Sequence, residues 1–264
     1  HGISKAEFFS SLWMTLDAIT EVESIEFHTQ NKEFLDELEA GFAKRSGDCF
    51  RGCVGAADGI SIAVRKPYLR ETINPAQYKN RKKFFSLNVQ AMCDATYKFR
   101  HVSIACCGST HDWCAWRLSP LQDEIESTGL PKGYWIAMDD AYVTCEHYIG
   151  PFPGKKLGKS KDTFNFFQSK TRIHIEQAFG ILVRRWGILW RKLESSMKYW
   201  SLIVLCCMKL HNICIDCQLK HTNPFQARSQ FGLNHTSGDN VTDRQLNFLG
   251  QQQVAEEWDE GITQ

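Results

Sequence analysis

No uninterrupted apolar run in this chain is long enough to cross a bilayer. The longest strongly apolar run, 202–208, falls far short of the roughly 20 residues that a spanning helix needs. No secretory leader is visible, so no membrane partner is expected. The chain begins at His1 rather than Met, and a segment upstream of it is expected. Internal repeats are lacking, and so is a Gly-rich phosphate loop between a strand and a helix, which removes solenoids and P-loop nucleotide sites from consideration. Neither sign of charge dominates: 31 Lys and Arg stand against 30 Asp and Glu, for a formal net charge of +1. That balance hides an asymmetry. Residues 218–264 hold three basic against six acidic residues, which leaves 28 against 24, or +4, in the rest of the chain. A mildly basic body with an acidic tail is compatible with nucleic acid without requiring it. Cysteine is not scarce, but the 11 present are odd in number and include the adjacent pairs Cys106–Cys107 and Cys206–Cys207. Such a set does not suit a disulfide framework and points to a reducing compartment, cytosol or nucleus.

With 264 residues, 43% hydrophobic and 12% aromatic, the chain can bury a substantial core. Its most informative stretch is 164–193. There Ile175, Phe179, Leu182, Trp186, Leu189 and Leu193 recur at spacings of four and three, which predicts one long helix with a buried face. Glu176 sits beside that stripe, on a row with Gly180, Val183 and Gly187, where the glycines leave room for a sheet or a substrate backbone. Arg184, Arg185, Arg191 and Lys192 follow. Upstream, 5–19 and 31–44 have helical spacing, and Ser46-Gly47-Asp48 ends the second of these helices. The run 53–64 is small and apolar around Asp58-Gly59, a dipeptide that in isolation reads as a hairpin turn. Residues 85–93 alternate apolar with polar, predicting a strand with one buried and one polar face. Residues 94–98 form a turn and 100–106 a return strand. The segment 113–127 reads as a helix broken near Pro120, and 134–138 as a compact strand ending in Asp139-Asp140. Residues 150–162 form a Gly-, Pro- and Lys-rich loop, and 200–219 a buried helix. From about Asn223 the chain is polar and aperiodic.

Acids thus fall on the first strand, at the end of the fourth and on the helix after it. In a mixed sheet these could converge, as two hard cations holding phosphate oxygens would need. Asp58, Asp139 and Glu176 could supply the ligands, and Asp140 or Asp112 would fit the same scheme. Two other clusters are set aside. His211, Cys214, Cys217 and His221 mimic a zinc motif, but consecutive ligands down one helix do not close a tetrahedron, and a core helix is the better reading. Ser109, His111 and Asp112 are too close in sequence for a hydrolase triad and read as a cap and turn, with Asp112 near the acids.

The motifs ADGISIAVRKP, YKNRKKFFSLNVQAMCD, CGSTHD, MDDAY followed by PF, RIHIEQAFGILVRRW and KLHNIC, in this order from 53 to 217, resemble the PIF/Harbinger transposases and their domesticated relatives. The resemblance implies a DDE nuclease domain, an α/β fold with a ribonuclease H-like mixed sheet flanked by helices. It assigns Asp58, Asp139 and Glu176 as the catalytic, metal-binding triad for Mg²⁺ or Mn²⁺, with DNA as substrate and the nucleus as the place of work. It also implies a Myb-like DNA-binding partner, and self-association stays open. The family's Gly-Asp-x-Gly-Tyr is here Met138-Asp139-Asp140-Ala141-Tyr142. Lys79, Arg81, Lys82, Lys83, Lys155, Lys156, Arg184 and Arg185 are the expected contacts to DNA phosphates. The expected layout is an N-terminal helical segment (1–48), the nuclease domain (49–220) and a flexible polar tail (221–264). The alternative function is a catalytically silent protein that keeps the fold as a DNA- or partner-binding scaffold.

Overall fold

The computed structural model describes residues 2–221 except 3, 23, 155 and 156, with side chains described as far as 217. The polar tail therefore lies outside the described residues. Two helices, α1 (Lys5–Val22) and α2 (Lys32–Ser46), precede the sheet. The Asn31 side chain caps α2 by accepting from Phe34 N, and Gly47 closes it in the left-handed region at φ 65°. Strands β1 (Cys53–Ala63), β2 (Ser86–Cys93) and β3 (Phe99–Cys107) form an antiparallel meander. Helices α3 (Asp112–Arg117) and α4 (Pro120–Thr128) follow. Ser119 caps α4 and Pro120 opens it, which is why the chain breaks there. Next come β4 (Trp135–Ala137), β5 (Tyr148–Ile149), α5 (Lys159–Arg185) and α6 (Trp200–His221). The five strands are ordered β3-β2-β1-β4-β5, with β1, β4 and β5 parallel, so the sheet is mixed and flanked by helices as expected.

One face of the sheet packs on α5 and α6 through Ile175, Phe179, Leu182, Val204 and Met208. The other packs on α3 and α4 through Trp116, Leu121 and Ile125. Leu35 and Leu38 of α2 join the second core and Phe42 the first, whereas α1 buries no residue and leans on α6. There Trp13 stacks on Tyr199 with 3.7 Å between ring centroids, and Lys209 Nζ donates to Thr20 O.

Four expectations are corrected. Asp58-Gly59 is no hairpin turn: it lies inside β1, paired with Ala91 and Gln90, and Gly59 has no left-handed backbone. The glycine is needed for space, because a Cβ there would lie 2.5 Å from Gln90 Nε2 and 2.8 Å from Asp112 Oδ1. The long helix starts earlier than expected, at Lys159, and ends at Arg185. Leu189 and Leu193 are still buried, but Leu189 sits in a short 3₁₀ turn and Leu193 bonds through its N–H to Ala63 O, extending β1. Apolar spacing alone could not see that break, since the buried positions keep the helical interval. A Cβ at Gly180 or Gly187 would meet nothing within 4 Å, so neither marks a close approach. Finally, the polar face of β2 is not solvated: all eight residues are buried.

By length and composition, residues Met197–Cys217 are long and apolar enough to cross a membrane. Yet buried Lys209, His211 and Asn212 interrupt its apolar surface, and its apolar side chains fill the core, which accounts for its composition. Asn212 is the tie between α6 and the sheet. Its Oδ1 accepts from Phe99 N at 2.8 Å and its Nδ2 donates to Phe99 O at 2.8 Å, satisfying both backbone groups on the outer edge of β3. Asn212→Ala leaves both orphaned in the core and should cost roughly 2–4 kcal/mol. Urea unfolding checks this, and a loss below about 1 kcal/mol would show that the edge is satisfied in another way.

Candidate active site

The register of β1 and β4 sets the site. Ala56 pairs with Ala137 on neighbouring parallel strands, so two residues further along each chain Asp58 and Asp139 stand side by side and emerge on the same face. That face is covered by α5, because Ala56, Ala137 and Ile175 share one core. Asp139 is half-buried while Asp140 is exposed. Adjacent residues leaving a strand point apart, and here the first turns inward, where its Oδ1 accepts from Ala141 N at 2.9 Å.

Two α5 side chains, neither foreseen from the sequence, position the rest. Gln168 Nε2 donates to Met138 O at 2.6 Å and to Ile149 O at 3.1 Å, pinning the helix to the ends of β4 and β5 beside Asp139. Arg172 lies one turn before Glu176. Its Nη1 is 2.5 Å from Glu176 Oε1 and 3.5 Å from Asp58 Oδ2, with side-chain exposures of 13% for Arg172, 21% for Glu176 and 20% for Asp58. The guanidinium is thus a shared counter-ion. An i, i+4 Arg–Glu pair was legible in the sequence; that it reaches across to β1 was not.

Behind the acids, on the opposite face of β1, runs a polar chain. Tyr142 OH donates to Gln90 Oε1 at 2.6 Å, Gln90 Nε2 donates to Asn88 Oδ1 at 2.6 Å, and Asn88 Nδ2 donates to Asp112 Oδ1 at 2.8 Å. Asp112 is therefore fixed by amides behind Gly59, close enough for its charge to act on Asp139. His111 is the N-cap residue of α3 but makes no side-chain cap.

The electrostatics follow from crowding. Burial, then the charge of Asp139, pushes the Asp58 carboxyl up to about 7, against the pull of Arg172 and the Gly59 N–H. Burial also raises Asp139, opposed by its bond from Ala141 and by Arg172. Burial would lower Arg172, but the charges of Glu176 and Asp58 outweigh it and hold the guanidinium above its ordinary value. Desolvated carboxylates gathered round a positive charge are a donor set suited to a hard cation. The oxygens are nevertheless committed elsewhere: among the described residues no group of three or more His, Cys, Asp or Glu is spaced to grip a metal as it stands.

The expected phosphate contacts are scattered. Lys79, Arg81, Lys82 and Lys83 are exposed on the β1–β2 connection, at least eight residues along the chain from Ala91, the partner of Asp58. Arg184 is exposed, but Arg185 is half-buried with Nη1 3.4 Å from His211 O. Lys155 and Lys156 lie outside the described residues. As for the zinc-like cluster, His211 is buried with Nε2 2.9 Å from Tyr97 O, and burial takes it down to about 4 as a neutral core group.

A family model described as DDE superfamily endonuclease matches residues 57–212, more than half of the chain, and the chain belongs to that family. The mouse (Mus musculus) protein named "Putative nuclease HARBI1" is 28% identical over 219 residues, which covers 81% of this chain. The chain spans 60% of that relative's length. No solved structure matches this chain significantly. The Harbinger resemblance and the ribonuclease H-like fold expected from the motifs stand.

A carboxyl with a raised native pKa binds protons more tightly folded than unfolded, so its cost is absent below about pH 4, grows as pH rises and is complete above about pH 7. Asp58→Asn keeps the Gly59 N–H contact and removes that cost. In the absence of metal it should stabilise the protein by roughly 2–4 kcal/mol at pH 8 and by little near pH 4.5. Thermal melts at both values decide the matter, since an equal gain at both would mean that Asp58 is not strained by burial.

Proposed function

We propose that this chain is the catalytic domain of a divalent-metal-dependent DNA nuclease of Harbinger type, cleaving phosphodiester bonds and joining DNA strands. The observation that carries the proposal is that Asp58 and Glu176, from a strand and a helix, share one guanidinium, with Asp139 at the end of the neighbouring parallel strand close enough to raise Asp58. In this reading the three carboxylates hold Mg²⁺ or Mn²⁺. Such ions, when bound in pairs, supply an acidified water or DNA 3′ hydroxyl as nucleophile and stabilise the departing oxygen. The chain's own part is to position. Gln168 fixes the height of Glu176 against Asp139, the Ala141 N–H orients Asp139, and the amide chain behind Gly59 keeps β1 and β2 from shifting beneath Asp58. Burial and Asp139 raise Asp58 to about 7 even with Arg172 beside it, and an added divalent charge would favour its ionised form.

Exposed Lys79, Arg81, Lys82, Lys83 and Arg184 would neutralise phosphates without reading bases, so DNA affinity should fall steeply with salt and depend little on sequence. Sequence choice is then the work of a Myb-like partner, in the nucleus. Arg172 favours one other reading: a permanent ion pair would silence the acids and leave a DNA- or partner-binding scaffold.

Cleavage assays separate the two. Asp139→Ala should lower Mg²⁺- or Mn²⁺-dependent cleavage by about a hundredfold or more with the fold unchanged by circular dichroism, while Asp140→Asn retains most activity. Wild-type protein that binds DNA yet never cleaves it at any Mn²⁺ concentration would establish the scaffold. Loss at 140 with survival at 139 would move the ligand by one residue.

A further inference from the structure

Arg172 is nearly buried, and its guanidinium spans from the helix acid Glu176 to the strand acid Asp58. Among the described residues neither of these acids pairs with any other Lys or Arg, and Asp139 pairs with none. Remove Arg172 and two or three carboxylates would face one another in a low-dielectric pocket. Such repulsion is costly for buried charge, so the guanidinium is what makes the site tolerable before a metal arrives. A divalent ion held by the same carboxylates would compete with the guanidinium for the negative charge of Glu176 and Asp58.

Resting on the metal-site reading above, we propose that Arg172 is a built-in competitor for the divalent cation, which leaves the acids when the ion enters and is then taken up by a DNA phosphate. The second half follows from the chemistry of the group. A guanidinium driven off two carboxylates still carries its charge and a planar fork of N–H donors, and in a nuclease site the anion at hand is the phosphodiester. Metal and DNA are then coupled. DNA that engages Arg172 relieves the competition and tightens metal binding, and by reciprocity metal tightens DNA binding. A metal-free, DNA-free domain keeps its acids neutralised, which limits idle metal loading.

The test measures free Mn²⁺ by electron paramagnetic resonance during titration of the whole chain, with and without a short phosphorothioate duplex that resists cleavage. Without DNA, Arg172→Gln should bind Mn²⁺ about tenfold or more tightly than the wild type. The duplex should tighten Mn²⁺ binding to the wild type and have little such effect on the variant. Unchanged or weaker Mn²⁺ binding by Arg172→Gln, alongside a clear loss in Asp139→Ala, overturns the competitor role while the metal site survives. If Asp139→Ala and Asp58→Ala bind Mn²⁺ as the wild type does, the metal-site reading fails and takes this one with it. Should Arg172→Gln not fold without metal, Arg172→Lys replaces it. A compact ammonium cannot bridge both acids, so affinity should rise at least about threefold, and no rise overturns the proposal.

Discussion

Ala56 of β1 lies beside Ala137 of β4, the last pair of that ladder, and because the two strands run the same way the residues that follow leave it together. This parallel pairing makes Asp58 and Asp139 neighbours on one face. An antiparallel β4 would have carried its terminal acid away from Asp58 rather than alongside it. The helices serve the pairing. Gln168 ties α5 to the carbonyls that end β4 and β5, which sets Glu176 opposite the strand acids, and Asn212 ties α6 to the far edge at Phe99.

The two faces of β1 do different jobs at adjacent residues. Asp58 faces the helix and its charges, while Gly59, with no side chain, lets Gln90 and Asp112 approach from behind. The amide chain from Tyr142 through Gln90 and Asn88 satisfies polar groups that would otherwise be buried alone. Tyr142 feels the same acids: burial, then the charges of Asp58, Asp112 and Asp139, pushes its hydroxyl well above the ordinary range, so it stays a neutral hydrogen-bond donor. The acid cluster therefore has a hydrogen-bonded backing of Tyr142, Gln90 and Asn88 that ends at Asp112, and a single counter-ion, Arg172, in front.

Much of this was legible in the sequence, for reasons that differ by element. Alternation in 85–93 and 100–106 gave the β2–β3 hairpin because one face of each strand is firmly apolar, and Pro120 after Ser119 gave the break between α3 and α4. The strand β5, two residues long, has no period to read. Asp58-Gly59 misled because a turn and a tightly backed strand both want glycine, and only the register to β2 tells them apart. Polar residues at alternate positions of β2 looked solvated, since a sequence cannot show that another layer will supply their partners. The three acids were found through ordered motifs, whereas Arg172 was not singled out, because only the fold gives it a second acid to bridge.

The central claim is that Asp58, Asp139 and Glu176 form one cation site closed in the metal-free state by Arg172. Crystals soaked in Mn²⁺ and measured at the manganese absorption edge test it most directly. The account predicts an anomalous peak among these three carboxylates, with the Arg172 guanidinium moved off Glu176. Anomalous peaks found only elsewhere at saturating Mn²⁺, with Arg172 still closed on Asp58 and Glu176, would contradict it.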